Sequence, residues 1–329
     1  MRSARGYLGQ EETAGGKTLS PGGLCRNSRA MIEKLEMFIA LAREQHFGRA
    51  AEACGVTQPS LSAAIKQLED QLGVMLVWRG SRFQGLTPEG QRVLEWARQI
   101  VGDTRRLRDD MRAARVGLSG HVRLAVIPTA LTQAAKLTAH FAKAHPDVSF
   151  SVLSRSSVEI LELLENLDVD AGITYLDNEP LGRVSTAPLY SETYALMCRA
   201  DHPLAQAKTL TWADLADVQL SLLTPDMQNR RIINRNFMQA GISPESRIES
   251  SSTIVLAAAV VNGGQATVLP IDHAEFLGRG HGLSVVPIFG ASSAPTVGLI
   301  AQFQDPQTPV LQSLFKEAAK LAAPMGAAP

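Results

Sequence analysis

Gly55 and Gly73 bracket the stretch that most restricts how this chain folds: between them VTQPSLSAAIKQLEDQL carries an apolar stripe and a polar one. Leu61, Ile65, Leu68 and Leu72 recur at intervals of four, three and four residues, which is one face of a helix. Thr57 stands where an N-cap belongs, and Pro59 fits the first turn, where a missing N–H costs nothing. Upstream, Leu35, Phe38, Ile39 and Ala42 predict a first helix. Gly48 to Cys54 predicts a second, short one, whose Ala50 and Ala51 let a neighbour approach closely. Gly55-Val56 then turns the chain, since glycine accepts the positive φ that a helix end commonly demands.

The third helix leaves Gln58, Ser62 and Lys66 on a face with nothing apolar to offer a core. Donors and acceptors on the first turns of a helix suit the major groove of duplex DNA; the alternative is an ordinary solvated face. Downstream, WRGSRFQGL (Trp78 to Leu86) is short, glycine-punctuated and basic, as a hairpin wing over a phosphate backbone would be.

The total composition is neutral on this point. With 32 Lys and Arg against 32 Asp and Glu the net charge is zero, so only a local concentration of cations indicates a polyanionic partner. No run of eighteen apolar residues exists to span a membrane. Cys25, Cys54 and Cys198 lie far apart without a CxxC pair, which predicts a reduced, cytoplasmic chain without zinc knuckle or disulfide framework. The histidines lack metal-ligand spacing and no serine sits in a GxSxG elbow, so neither a metal, a cofactor nor an enzyme is expected. Residues 1–30, rich in Gly, Ser and Arg, read as a flexible tail, with Met31, which opens the first periodic segment, as the true start.

Thr87-Pro88-Glu89 opens another helix with a cap, an N1 proline and an early acid. Within it Val93, Ala97, Ile100, Thr104, Leu107, Met111 and Ala114 form a seven-residue repeat, which predicts a linker over 88–116 that pairs two chains; packing on its own domain is the alternative. Gly117-Leu118-Ser119-Gly120 reads as a hinge at 117–120. From His121 the period changes. VRLAVI, FSVLSR and AGITYL read as strands between helices, with a Ser-x-x-Glu capping box at Ser156 to Glu159, and a similar alternation starts again near Tyr194. Such alternation predicts parallel sheets in two α/β lobes with ligands at the carboxyl ends of the strands. Thr129, Ser154, Ser156, Thr174, Thr224, Gln228 and Ser252 gather at those ends, and helix N-termini beside them favour a small carboxylate or other anion; the alternative is that each hydroxyl merely caps its helix. A solute-binding protein would account for the lobes alone.

The run AAEACGVTQPSLSAAIKQLEDQLGVMLVWRGSRFQGLTPEG closely resembles the amino-terminal signature of the LysR-type transcriptional regulators, and the likeness extends over the chain from Met31. It implies an α+β multidomain fold: a winged helix-turn-helix over 31–87, the linker helix, and an effector domain over 121–329 like a periplasmic solute-binding protein. In that domain the first lobe (121–192) is completed by the returning segment 294–329 and the second covers 193–293. It implies DNA contacts from Thr57, Gln58, Pro59, Ser62 and Arg82, with Arg79 and Lys66 on phosphates, and effector contacts at the helix starts marked by Thr129, Ser156 and Thr224. Many members carry Arg where this chain has Ala63, which shifts readout toward Ser62, Lys66 and the wing. The resemblance also implies a homodimer through the linker and a homotetramer built as a dimer of dimers. With no second cysteine near Cys198, the disulfide switch of peroxide-sensing relatives is not expected. LLENLDVDAGITYLDNEPLGRV and LLTPDMQNRRII are similar to regulators beside formate dehydrogenase genes, which would imply formate as effector.

Overall fold

The computed structural model describes residues 21–78, 83–177, 180–291 and 294–322. They form two units, one ending at Val101 and one starting at Gly102.

In the first unit, α1 (Pro21–Glu44), α2 (Phe47–Ala53) and α3 (Gln58–Leu72) pack their apolar faces together. Phe38, Leu41, Ala50, Leu61 and Leu68 are fully buried, with Leu35 and Ile65 nearly so. Thr57 accepts a hydrogen bond from Ser60 N at 3.4 Å as the N-cap of α3, and Gly73 ends the helix in the left-handed region. Two expectations need correction. Helix α1 begins at Pro21, ten residues before Met31, so Pro21–Ala30 is helical backbone rather than tail. A helix nucleated by packing propagates one bond per residue, and a proline, with no N–H to give, is a natural first residue. Leu72 is exposed, because Gly73 turns the chain there and Leu76 beyond the turn is buried instead. Glu69 Oε1 fixes that turn, accepting from Leu76 N at 2.7 Å and Val77 N at 3.3 Å.

Val77 bridges Leu86 in antiparallel fashion and Trp78 N donates to Gly85 O at 3.1 Å, the paired base of a hairpin. Thr87 then donates to Met75 O and accepts from Gly90 N, starting α4 (Pro88–Val116) hard against the segment 75–77. Helix α4 divides the predicted seam between two faces. Leu94, Ala97 and Val101 are buried within the first unit, whereas Trp96, Ile100, Leu107 and Met111 are exposed. Apolar residues on two faces of one helix blur a single repeat, and Ala97 belongs to the inner set.

The second unit is two-lobed. Strands β1 (Gly120–Val126), β2 (Val148–Ser154) and β3 (Ala171–Tyr175) pair in parallel, joined by α5 (Leu131–Ala144) and α6 (Ser157–Glu165). Strand β11 (Thr296–Gln302) returns antiparallel between β3 and β4 (Val184–Ser191), giving the order β2-β1-β3-β11-β4, and α10 (Pro309–Ala322) packs behind β4. The other lobe holds a sheet of order β6-β10-β5-β9, built from β5 (Tyr194–Arg199), β6 (Leu210–Thr211), β9 (Thr267–Pro270) and β10 (Leu283–Phe289). The parallel pair β7 (Leu220–Leu223) and β8 (Ser246–Ser250) forms a separate sheet, and Leu220 bridges Ala266, the residue just before β9. Helices α7 (Gln228–Gln239), α8 (Thr253–Gly263) and α9 (Ile271–Gly278) cover this lobe.

The expectation of parallel pairing therefore holds for β1–β3 and for two edge pairs, while β4, β5, β9, β10 and β11 pair antiparallel. Strands β4 and β10 each carry a proline, Pro188 and Pro287, the residue that most obscures a strand in sequence. Gly120 lies in β1 rather than in a hinge, since its N–H donates to Asp147 O at 3.0 Å and it registers with Val148.

Candidate functional site

Two sites follow from this framework, one in each unit. In the first, the burial of Leu61, Ile65 and Leu68 dictates that the opposite face of α3 points to solvent, and Thr57, Gln58, Pro59, Ser62 and Lys66 are all exposed. The Thr57 hydroxyl is engaged with Ser60 at 2.9 Å as well as capping the helix, so its free surface is mainly the methyl group. Gln58, Ser62 and Lys66 make no such bonds among the described residues and present an amide, a hydroxyl and an ammonium one turn apart. Arg79 and Arg82 lie outside the described residues. Sequence reading missed His46, whose ring Nδ1 accepts from Gly48 N at 3.1 Å and Arg49 N at 3.3 Å and so starts α2 beside α3.

In the second unit, the carboxyl ends of β1 and β3 face α7 across a narrow gap between the lobes. It is lined by Thr129, Ser157 and Tyr175 from one lobe and by Leu223, Met227, Gln228 and Asn229 from the other, and its volume is about 10 Å³, room for about one water. Thr129 and Gln228, two of the seven residues singled out in the sequence, both line it. Gln228 Oε1 accepts from Arg231 Nε at 2.7 Å, leaving its amide donors toward the gap.

The other predicted effector residues divide. Ser156 spends its hydroxyl on Glu159 N in a complete capping box, and the unpartnered hydroxyl in the gap is that of Ser157. Thr174 and Thr224 have buried hydroxyls with no partner among the described residues, yet neither lines the gap. Ser154 is exposed at the end of β2, and Ser252 precedes α8 without capping it, its N–H donating to Ser250 Oγ. Side chains alternate along a strand, so a hydroxyl one residue from the right position faces the wrong way.

A buried polar cluster that the sequence reading did not single out stands behind the gap. Glu192 Oε2 accepts from Tyr175 OH at 2.9 Å and from Tyr194 OH at 3.0 Å, and Asn229 Nδ2 donates to Tyr175 OH at 3.1 Å. Burial pushes the Glu192 carboxyl up to about 7, the donated hydrogen bonds pulling the other way. The same burial, with the Glu192 charge, holds Tyr175 and Tyr194 well above the usual phenol range. Glu192 Oε1 and Asn229 Oδ1 have no partner among the described residues. The signal was present as a lone glutamate in the apolar run APLYSETYALM, flanked by tyrosines.

The remaining chemistry is quiet. Cys198 is fully buried on β5, where burial first and Asp201 second push its thiol up to about 11, and Cys54 is half-buried in the other unit.

Comparison with known proteins matches both parts of the chain. The family model described as bacterial regulatory helix-turn-helix protein, lysR family, matches residues 32–91, and the LysR substrate binding domain matches residues 115–323. The chain belongs to the LysR family of regulators. A LysR-type regulator is a DNA-binding transcriptional regulator with an effector-binding domain, and the relatives of this one are regulators, not enzymes. The hydrogen peroxide-inducible genes activator of Dickeya chrysanthemi is 30% identical over 73% of this chain and 78% of its own length. The DNA-binding transcriptional dual regulator OxyR of Escherichia coli is 28% identical over 82% of this chain and 88% of its own. Among solved structures, a full-length cysteine-to-aspartate variant of OxyR from Pseudomonas aeruginosa superposes with a TM-score of 0.69 at 25% identity, covering 88% of this chain and 99% of that one. Among the described residues no helix is long and apolar enough to cross a membrane.

Proposed function

We propose that this LysR-type regulator reads operator DNA in the cytoplasm with the outward face of α3 and is controlled by a small carboxylate held between the lobes. In this reading the head is 31–87, the linker 88–116 and the effector domain 121–329. The carrying observation is the division of α3: Leu61, Ile65 and Leu68 are buried, and Gln58, Ser62 and Lys66 are free of any core role. Gln58 and Ser62 meet base edges, Lys66 with Arg79 and Arg82 meets phosphates, and Thr57 and Pro59 set the helix start.

The apolar residues Trp96, Ile100, Leu107 and Met111 on one face of α4 support pairing of two copies there. We infer a homodimer through this face and a homotetramer built from two dimers. In the effector domain, the N-termini of α6 and α7 and the unpartnered hydroxyl of Ser157 favour an acidic guest beside Thr129 and Gln228. Formate has no support from the relatives matched, and the two described above carry names that concern hydrogen peroxide or OxyR. A peroxide-sensing role would need a reactive thiolate, and the buried Cys198 thiol, pushed up to about 11, is a poor one.

The test is selection of binding sites from a random duplex library by the full chain, followed by gel shifts at low salt. Enrichment of a two-fold related site, lost in Gln58→Ala, supports the reading; binding of all duplexes alike would end it.

A further inference from the structure

A second opening lies apart from the interlobe gap. Between α4 from Gly102 onward and the first lobe lies a cavity of about 350 Å³, within the size range of small-molecule sites, and none of the interlobe residues lines it. Its floor is apolar: Val122, Leu164, Leu167, Val169, Val310 and Leu311. Its helix wall is cationic. Arg105 and Arg106 are anchored there, donating to Leu167 O at 3.0 Å and to Pro306 O at 2.7 Å. Arg108 and Arg112 also line the cavity, are exposed, and make no hydrogen bond or ion pair with any described residue.

Two acids face these four arginines. Asp170 is already answered from outside the lining by Arg123, which donates through Nη2 at 2.8 Å and Nε at 3.2 Å. Asp109, whose carboxyl burial pushes up while Arg112 pulls it down, is the other. Three buried polar atoms on the walls have no partner among the described residues: Arg106 Nε, Ser119 Oγ and Gln307 Oε1. Buried polar groups without partners are rare in folded proteins and cost free energy unless something meets them.

We propose that this cavity is a second ligand site, separate from the interlobe gap, for a small organic molecule with an apolar body and two acidic groups. The body lies on the Val122, Leu164 and Val310 floor. The acidic groups pair with Arg108 and Arg112, the two guanidinium groups of the lining that make no hydrogen bond or ion pair with a described residue, Arg112 acting on Asp109 only through its charge. Arg106 Nε and Ser119 Oγ donate to the same oxygens. Such a ligand touches α4 and the first lobe at once, so its binding bears directly on the helix that leads to the DNA-binding head.

The test is calorimetric titration of the full-length chain with succinate, adipate and phthalate, and with inorganic phosphate and hexane-1,6-diol as a bodiless anion and an uncharged body. Saturable binding of at least one diacid, one per chain, with neither phosphate nor the diol matching it, is expected. Arg108→Gln and Arg112→Gln, both exposed, each weaken that binding about tenfold or more, as loss of a charged hydrogen bond does. Lys208→Gln, an exposed charge in the second lobe, leaves it unchanged. Absence of heat from all three diacids, which is also what a chain segment or second copy filling the cavity would give, overturns the proposal. So does phosphate binding as well as the diacids, or undiminished diacid binding in the double arginine variant.

Discussion

Asn229, on the first turn of α7, donates a hydrogen bond of 3.1 Å to the hydroxyl of Tyr175, on the last residue of β3, and so ties one lobe of the effector domain to the other. A second tie is Gln133 Nε2 to Asp272 Oδ2 at 2.9 Å, between α5 and α9. The gap between them has room for about one water, so these bonds hold a closed arrangement that any larger guest must open. Asn229→Ala removes the buried tie at a cost of about 1 kcal/mol of closure. Amide exchange over Leu223–Ile233 then rises about fivefold, with a smaller rise for Gln133→Ala at its exposed bond. Unchanged exchange in Asn229→Ala means the lobes are not held there.

Glu192 gives the cluster a dependence on pH. Its carboxyl stands at about 7 in the fold against 4.5 as a free side chain, so between those values the unfolded chain loses its proton first. The contribution is therefore intact below about pH 4.5 and is lost as pH rises toward 7, by up to about 3 kcal/mol. His273 works in the other direction: burial lowers its ring to about 4, and it bonds Thr253 at 2.9 Å, so stability is lost as pH falls from 6.5 toward 4. Glu192→Gln should raise the melting temperature at pH 8 and leave it nearly unchanged at pH 4.5. A carboxylate guest should also bind the wild type more weakly at pH 8 than at pH 6, and the variant almost equally at both. A variant less stable than wild type at pH 8 is the contrary result.

What the sequence made legible and what it hid have separate physical causes. The first unit is governed by local signals: Thr57, Pro59 and Gly73 mark the ends of α3, and the burial of Leu61, Ile65 and Leu68 follows from spacing. Such signals act within one turn of helix and are written in adjacent residues. The interlobe cluster depends on strands meeting across the chain. Tyr175 finds Asn229 only because β3 and α7 end at the same gap, and no spacing encodes that encounter. Of the hydroxyls and amides chosen for their place at strand ends only Thr129 and Gln228 line the gap, and at the start of α6 Ser157 lines it while Ser156 caps the helix. The seam of α4 was legible only in part, with Ile100, Leu107 and Met111 exposed but Ala97 buried, because one periodic pattern served two faces.

Gly90 offers a test of the first unit alone. It sits on the first turns of α4, beneath the cap from Thr87, and a methyl added there would collide with the backbone carbonyl of Leu76. The obstacle is backbone that Glu69 already anchors, so it cannot move aside cheaply. Gly90→Ala should destabilise the helical head by about 1–3 kcal/mol or more, as overpacking does. In a thermal unfolding experiment the head's transition moves down while the effector domain's stays in place. Gel shifts at 37 °C lose most DNA binding. A head transition within a degree of wild type would mean that the segment 75–77 and α4 are less closely packed than described.

The face of α3 separates two kinds of contact that mutation can tell apart. Gln58 presents an amide, which forms paired hydrogen bonds with an adenine edge, and losing it costs about 1–3 kcal/mol on the cognate base and little on random DNA. Arg82, in the predicted wing and outside the described residues, is expected on a phosphate, and phosphates carry no sequence information. Gln58→Ala should therefore bring cognate and random duplex affinities closer together with the salt dependence unchanged. Arg82→Ala should weaken both duplexes alike and lower the slope of log affinity against log salt by about 1. Fluorescence anisotropy with both duplexes over a range of salt measures the two effects independently. Equal losses on both duplexes in both variants would contradict this division and place base readout elsewhere on the head.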